Sequence, residues 1–147
     1  MTNPAFAVPG AMDGLNAVAK AISRARVPLN FELLHLRASQ INGCSVCVDG
    51  HAKHARKAGE SEERIATVAA WRETPYFSDA ERAALALTEA LTRLSDRADQ
   101  VPDELWDAVA EHFDEEALGA IVMSIALVNV WNRLNVATRQ IAGAAEW

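Results

Sequence analysis

Apolar residues recur at intervals of three and four along most of this chain, which is the periodicity of amphipathic helices. In the first such segment, from Gly10 to about Arg26, the repeat is carried by Leu15, Val18 and Ile22. Pro28 then interrupts the pattern, because proline cannot continue a helix interior. The spacing therefore predicts a first amphipathic helix that ends before Pro28.

A helix–turn–helix pattern occupies the next thirty residues. The helical repeat resumes from Leu29 to Ile41, and the following pair, Asn42-Gly43, is a strong helix breaker. A third helix is expected to begin near Cys44 and to stop at Ala58-Gly59, with basic residues in its last turns that complement the helix dipole. The pattern thus predicts two helices joined by a very short turn.

Capping signals divide the second half of the chain. Ser61 opens a fourth helix that must end before Pro75, and Ser78 with Glu81 forms a capping box ahead of a long fifth helix. Pro102 starts a sixth helix that ends around Phe113. These signals extend the all-helical pattern to the final third of the sequence.

The final helix, capped by Asp114, carries no charged residue from Ala117 to Asn132. This run falls short of the roughly 20 apolar residues that a membrane span needs, so we expect a buried central or inter-subunit helix and no membrane partner. Convincing strand alternation is absent from the sequence. The fold class is therefore all-α, with about six to seven helices in a single domain over residues 1–147.

Charge and composition narrow the function. The net charge is −6 and no Lys/Arg-rich run occurs, which argues against nucleic acid as a partner. The N-terminus has neither a basic leader nor a sustained apolar segment, so a cytoplasmic location is expected. Only two cysteines are present, which excludes a secreted disulfide framework and favours catalysis, redox sensing or metal binding.

Both cysteines lie in a C-x-x-C arrangement, at Cys44 and Cys47, with His51 four residues further on. Thiols near a helix start are stabilised as thiolates by free backbone N–H groups. On a helix, Cys47 and His51 share a face, so the imidazole can act as a base for the sulfur. The spacing therefore favours a redox dithiol, and two inert packed cysteines are the alternative.

Zinc is the other alternative, because Cys44, Cys47, His51 and His54 supply four ligands of the right types. On one helix, however, these four fall along a stripe roughly 15 Å long. A tetrahedral zinc with bonds of about 2.0–2.3 Å cannot be reached by all of them. The geometry therefore favours redox chemistry, and no metal or other cofactor is expected.

A catalytic imidazole is normally held by a second group that fixes its tautomer. If the second and third helices form an antiparallel hairpin around Gly43, Glu32 is level with His54 and within about one turn of His51. Glu32 is therefore a candidate orienting carboxylate, and His35 is a competitor for the same place. A solvated helix face is the plainer interpretation of both residues.

The combination of Glu32, Cys44, Cys47 and His51 at this spacing resembles the core signature of the AhpD-like alkylhydroperoxidases in the carboxymuconolactone decarboxylase family. The close resemblance covers about residues 30–72. It implies an all-helical fold, usually assembled as trimers or larger rings such as hexamers. It also implies reduction of organic or hydrogen peroxides by the dithiol, with Glu32 and His51 as a proton relay and an external thiol, such as a dihydrolipoyl-type partner, as reductant.

One departure from the family pattern lies between the cysteines. Val46 stands where the prototype has a histidine and many relatives have an aromatic residue. An aliphatic side chain can neither donate a proton nor stabilise charge there. Two other functions are therefore kept as alternatives: a general thiol–disulfide oxidoreductase, and a redox-sensing oligomeric module without turnover.

Overall fold

A computed structural model describes residues 1–96 and 98–144, and in this part of the chain every regular element is helical. The all-α class predicted from the sequence is confirmed. Two short 3-10 helices, over Val68–Glu73 and Leu94–Asp96, supplement the α-helices. The described α-helices are α1 (Pro4–Ala7), α2 (Ala11–Arg24), α3 (Phe31–Asn42), α4 (Ser45–Lys57), α5 (Glu62–Thr67), α6 (Asp79–Thr92), α7 (Asp103–Ala110) and α8 (Glu115–Ala137).

The predicted boundaries agree with the structure to within about one helical turn, the sixth helix ending at Ala110 rather than around Phe113; the element pattern itself differs at two places. Helix α1 was missed, because four residues are too few to show a helical repeat; the Asn3 side chain caps it by accepting from the Ala5 N–H. The fourth predicted helix is α5 followed by a 3-10 helix, with Ala70 at φ −116° and ψ 29° between its turns. The spacing of apolar residues does not indicate this local change from α-helix to 3-10 helix.

Side-chain caps fix the starts of the helices that matter for the site. The Asn30 side chain accepts a hydrogen bond from the Glu32 N–H at the start of α3. The predicted capping box of Ser78 and Glu81 is present at α6, and Asp114 caps α8 as expected. Each cap satisfies backbone N–H groups that would otherwise have no partner in the first turn.

Helix α3 lies at the centre of the molecule and packs against α4, α6 and α8. Its leucines at positions 33, 34 and 36 are at most 3% exposed and join one continuous apolar core. From α8, the core receives Ile121 and Ile125, which are equally buried. The functional motif on α3 and α4 is therefore built directly on the rigid centre of the fold.

Helix α8 is long and apolar enough, by these two criteria alone, to cross a membrane. In the structure it packs against α2, α3 and α6, and its buried polar residues form hydrogen bonds to neighbouring helices. Such residues would lack partners in lipid, where every polar group must be satisfied internally. The contacts identify α8 as a core helix, as expected from the sequence.

A buried carboxylate ties α3 to α6. Glu89 accepts hydrogen bonds from Arg37, Arg72 and the indole N–H of Trp71, at 2.6, 2.6 and 3.2 Å. Burial raises the pKa of Glu89, but these donors outweigh burial and leave its pKa below the ordinary value. The carboxylate therefore stays charged and paired, and it orients α3 beside the helices that carry Trp71 and Glu89.

Candidate functional site

The site is organised by a tight chain reversal between α3 and α4. Gly43 has a φ of +67°, in the left-handed region that glycine adopts without steric cost, and it ends α3. The Cys44 N–H donates to the Ser39 carbonyl at 3.1 Å, so the chain turns back at once into α4. This is the antiparallel hairpin assumed in the sequence analysis.

Cys44 and Cys47 form a disulfide at the N-terminal end of α4, with a Cα–Cα distance of 5.3 Å. Cys44 is 1% exposed and Cys47 is 2% exposed, and the intervening Val46 is buried with them. The pair is thus oxidised in this structure and closed off from solvent. The two cysteines of the C-x-x-C motif are thus placed so that they can form a disulfide, as a redox dithiol requires.

Glu32 and His51 meet across the hairpin. His51 Nδ1 lies 2.8 Å from Glu32 Oε2, while His54 Nδ1 is 3.8 Å from the same oxygen. His35 Nδ1 is 4.0 Å from the other oxygen, Oε1. The spacing left both His51 and His54 open as partners of Glu32; in the structure His51 is the nearer, as the family resemblance implies, and the two other histidines surround the same carboxylate.

The ionised state of Glu32 determines which ring nitrogen of His51 carries the proton. Burial raises the pKa of Glu32, but the hydrogen bond from His51 and the neighbouring histidines outweigh burial and hold the pKa below its ordinary value. An ionised carboxylate only accepts hydrogen bonds, so His51 Nδ1 carries the proton that it donates to Glu32. The second nitrogen of a neutral His51, Nε2, is then left unprotonated and able to act as a base.

His35 is a partly buried, uncharged neighbour of this pair. The pKa of His35 is lowered to about 4, chiefly because burial disfavours the charged imidazolium; the nearby His51 acts in the same direction and Glu32 in the opposite one. Its Nε2 is hydrogen-bonded to Ser124 Oγ at 2.7 Å, and its ring centroid lies 5.0 Å from that of His51. The solvated helix face considered for His35 is therefore wrong, because the side chain is packed between α3 and α8.

A cavity of about 430 Å³ opens beside the Glu32–His51 pair. Its polar end is formed by Glu32, His35 and His51, and most of the remaining wall is apolar. The apolar wall comes from α2, α3 and α8 and includes Ile22, Phe31, Leu127, Val128 and Trp131. A cavity of this size with a few convergent polar groups has the character of a small-molecule site.

Glu32, His35 and His51 also place three potential ligand atoms within 4.8 Å of one another. Two imidazoles and one carboxylate are a known ligand set for divalent metals. The Glu32–His51 hydrogen bond already occupies His51 Nδ1 and Glu32 Oε2, and His35 Nε2 is bonded to Ser124 Oγ, so several potential ligand atoms of this cluster have partners within the protein.

Sequence reasoning did not identify the partners of the asparagines of α8. Asn132 accepts from Asn42 and donates to Ser39 Oγ, at 2.8 and 3.0 Å, and Asn129 also accepts from Asn42. One turn further along, Asn135 Nδ2 lies 3.4 Å from Cys47 Sγ. The signal was present as three asparagines spaced by three in a largely apolar helix, a spacing that places them on neighbouring turns of one face.

The fold and the site together define an all-helical protein with a C-x-x-C disulfide beside a glutamate–histidine pair. The model of the carboxymuconolactone decarboxylase family matches residues 9–90, more than half of the chain. The chain belongs to this family.

Two curated relatives show different extents of similarity. The uncharacterized protein YdfG from Bacillus subtilis is 45% identical over 106 residues, which are 72% of this chain and 71% of YdfG. The alkyl hydroperoxide reductase AhpD from Solibacter usitatus is 41% identical over 64 residues, 44% of this chain and 34% of that protein. The similarity to AhpD is therefore local, whereas that to YdfG covers most of both chains.

A solved structure from Agrobacterium tumefaciens is similar over almost the whole chain. It has a TM-score of 0.87 and 34% identity, and the match covers 97% of each chain. It is described as a protein of unknown function that has been provisionally linked to the antioxidant defence protein AhpD. The family relationship thus extends to the complete helical arrangement.

The lowered pKa of His35 predicts acid sensitivity of the fold. Between about pH 6.5 and pH 4 the unfolded chain binds a proton at this histidine that the folded chain does not, so stability falls as the pH is lowered. A pKa difference of this size is worth roughly 3 kcal/mol. Urea unfolding across this range should show a clearly smaller pH slope for His35→Gln than for the natural protein.

The matched control is His112→Gln, which removes an exposed histidine and should retain the natural slope. Equal slopes in the natural protein and in His35→Gln would contradict the neutral state of His35 in the fold.

Proposed function

We propose that the protein is a cofactor-free thiol peroxidase that reduces organic or hydrogen peroxides through the Cys44–Cys47 dithiol. The observation that carries the proposal is the Glu32–His51 hydrogen bond of 2.8 Å, formed one helical turn from Cys47. A passive structural disulfide does not require a base oriented by a carboxylate. Membership of the family supports a peroxidase-like antioxidant function at the level of the family.

In the proposed cycle, His51 takes the proton of the Cys47 thiol, and Glu32 stabilises the resulting imidazolium. The thiolate attacks one oxygen of the peroxide, the O–O bond breaks, and the leaving alkoxide takes the proton from His51. Cys47 is then a sulfenic acid, and the Cys44 thiol condenses with it to form the disulfide and water. The oxidised pair in the structure corresponds to the end of this half-cycle.

An external thiol completes the cycle by reducing the disulfide. Two thiol equivalents are needed, so a dithiol such as a dihydrolipoyl group would regenerate the site and leave as its own cyclic disulfide. For the peroxide, the apolar wall of the 430 Å³ cavity beside Glu32 and His51 supports an organic hydroperoxide over hydrogen peroxide.

Peroxide consumption tests the proposal directly. The reduced protein should turn over an alkyl hydroperoxide with dihydrolipoamide or dithiothreitol as donor, and His51→Gln should be roughly 100-fold slower because it lacks the base. Glu32→Gln should be slower in the same direction, since an amide supports an imidazolium less well than a carboxylate.

His112→Gln serves again as a histidine variant outside the site, and it should keep the natural rate. Absence of turnover with both alkyl and hydrogen peroxide would favour the thiol–disulfide oxidoreductase or the redox-sensing module instead. An unchanged pH–rate profile for thiol oxidation in His51→Gln would remove the proton relay from the mechanism.

The two sulfurs are expected to have different roles. The helix dipole favours a thiolate at Cys44, but Cys47 is one turn from His51, whereas Cys44 is two turns away, about 10 Å along the axis. We therefore assign peroxide attack to Cys47 and resolution to Cys44. Under peroxide, Cys44→Ser should form one sulfenic acid per chain, trapped by dimedone and counted by mass spectrometry, while Cys47→Ser should react far more slowly.

The opposite pattern of trapping would make Cys44 the attacking residue. Since both variants retain one thiol and the same serine replacement, each is the control for the other.

We also propose a homo-oligomer, most simply a trimer or hexamer. Large apolar side chains stay exposed on the single chain, including Met123 and Val130 of α8 and Trp106 of α7. Light scattering at micromolar concentration should give three or six times the chain mass of 15.9 kDa. Val130→Glu should lower that mass if α8 lies in the interface, and a monomeric mass for the natural protein would contradict the proposal.

A further inference from the structure

A continuous line of side-chain amides leads from the chain's N-terminus to the disulfide. Asn3 Nδ2 lies 2.6 Å from Asn135 Oδ1, and Asn135 Nδ2 lies 3.4 Å from Cys47 Sγ. Both asparagines are 7% exposed, and Cys47 is 2% exposed. Asn3 and Asn135 take no part in the Glu32–His51 chemistry. The burial of their two amides beside a sulfur therefore needs a separate explanation.

The direction of this line is fixed by a backbone group. The Ala5 N–H can only donate, and it donates to Asn3 Oδ1 at 2.9 Å. Asn3 must therefore donate from its NH₂ group to Asn135, and Asn135 must accept with its carbonyl oxygen. The NH₂ group of Asn135 is then the end that faces Cys47. The flipped orientation of the Asn135 amide would place its NH₂ group against the NH₂ group of Asn3, donor against donor.

A hydrogen-bond donor at sulfur acts differently on its chemical states. Sulfur in a disulfide or thiol is a weak acceptor, whereas a thiolate is a charged one, and hydrogen bonds to charged acceptors are roughly twice as strong. The donor therefore gains strength only when Cys47 becomes negatively charged. In a buried environment, which disfavours a bare charge, this selectivity is largest.

We propose that Asn135 is a further catalytic residue, whose NH₂ group stabilises the Cys47 thiolate, and that Asn3 is its positioning residue. The proposal rests on the proposed dithiol cycle and extends it to both half-reactions. In peroxide reduction, the stabilised thiolate is the attacking group.

In regeneration, an external thiolate attacks Cys44 Sγ and forms a mixed disulfide with it. The Cys44–Cys47 bond breaks, and its electron pair remains on Cys47 Sγ, where Asn135 donates to it. Because the better-stabilised thiolate is the better leaving group, the reductant is directed to Cys44.

The test is a titration of the Cys47 thiol in a Cys44→Ser background, followed by the thiolate's ultraviolet absorbance and by the pH dependence of alkylation with iodoacetamide. Asn135→Ala should raise the thiol pKa by about one unit, a tenfold loss of thiolate at a fixed pH below it. Asn135→Asp should raise it further, because a carboxylate only accepts hydrogen bonds and adds a like charge. Asn3→Ala should shift it in the same direction by less.

The matched control is Asn129→Ala, which removes an equally exposed asparagine of α8 that bonds Asn42 and Thr92 but no sulfur. Circular dichroism verifies that each variant is folded. A thiol pKa that is the same in Asn135→Ala and Asn129→Ala, or one that is no higher in Asn135→Asp than in Asn135→Ala, would overturn the proposal.

If Asn135→Ala does not fold, Asn3→Ala decides the question, since it leaves α8 intact, and an unchanged pKa there also overturns the proposal. No peroxide enters this titration. Its result is therefore independent of whether the protein proves to be a peroxidase.

Discussion

The left-handed turn at Gly43 is the constraint on which the site depends. It reverses the chain within a two-residue connection, so α3 and α4 run antiparallel with a register that sets Glu32 beside His51. A longer connection would loosen this register, and a residue with a Cβ would be strained at a φ of +67°. The same turn places Cys44 at the start of α4, and a covalent C-x-x-C ring then closes within the first helical turn.

Helix α8 holds this hairpin by its polar face. Ser124 bonds His35 near the glutamate–histidine end, Asn132 bonds Ser39 and Asn42 in the last turn of α3, and Asn135 contacts Cys47 at the start of α4. Buried polar groups of this kind cost free energy unless paired, so each bond also specifies how α8 must sit on α3 and α4. The polar residues that interrupt the apolar run are thus what aligns the core helix with the site.

The sequence was informative wherever position follows from spacing along one or two helices. Helical periodicity, caps and the breaker pair 42–43 predicted the hairpin, and its register then placed Glu32 near His51. The contacts between the hairpin and α8 could not be predicted from spacing, because a contact such as that of Asn135 with Cys47 depends on how two helices that are distant in the sequence pack together. The contact of His35 with Ser124 was missed for the same reason, since the position of His35 on α3 does not indicate how α8 packs against it.

The two halves of the site differ in access, and this bears on the reductant. Glu32 and His51 border an open cavity, whereas both sulfurs are covered, with Asn135 and the N-terminal segment around Asn3 on the side of Cys47. A folded protein thiol could not reach a sulfur that is 1–2% exposed without displacing whole elements. A slender dithiol arm or a small thiol requires only a local opening, which costs less than global unfolding. The burial of the disulfide therefore favours a dihydrolipoyl-type group over a thioredoxin-sized partner as the donor in the proposed cycle.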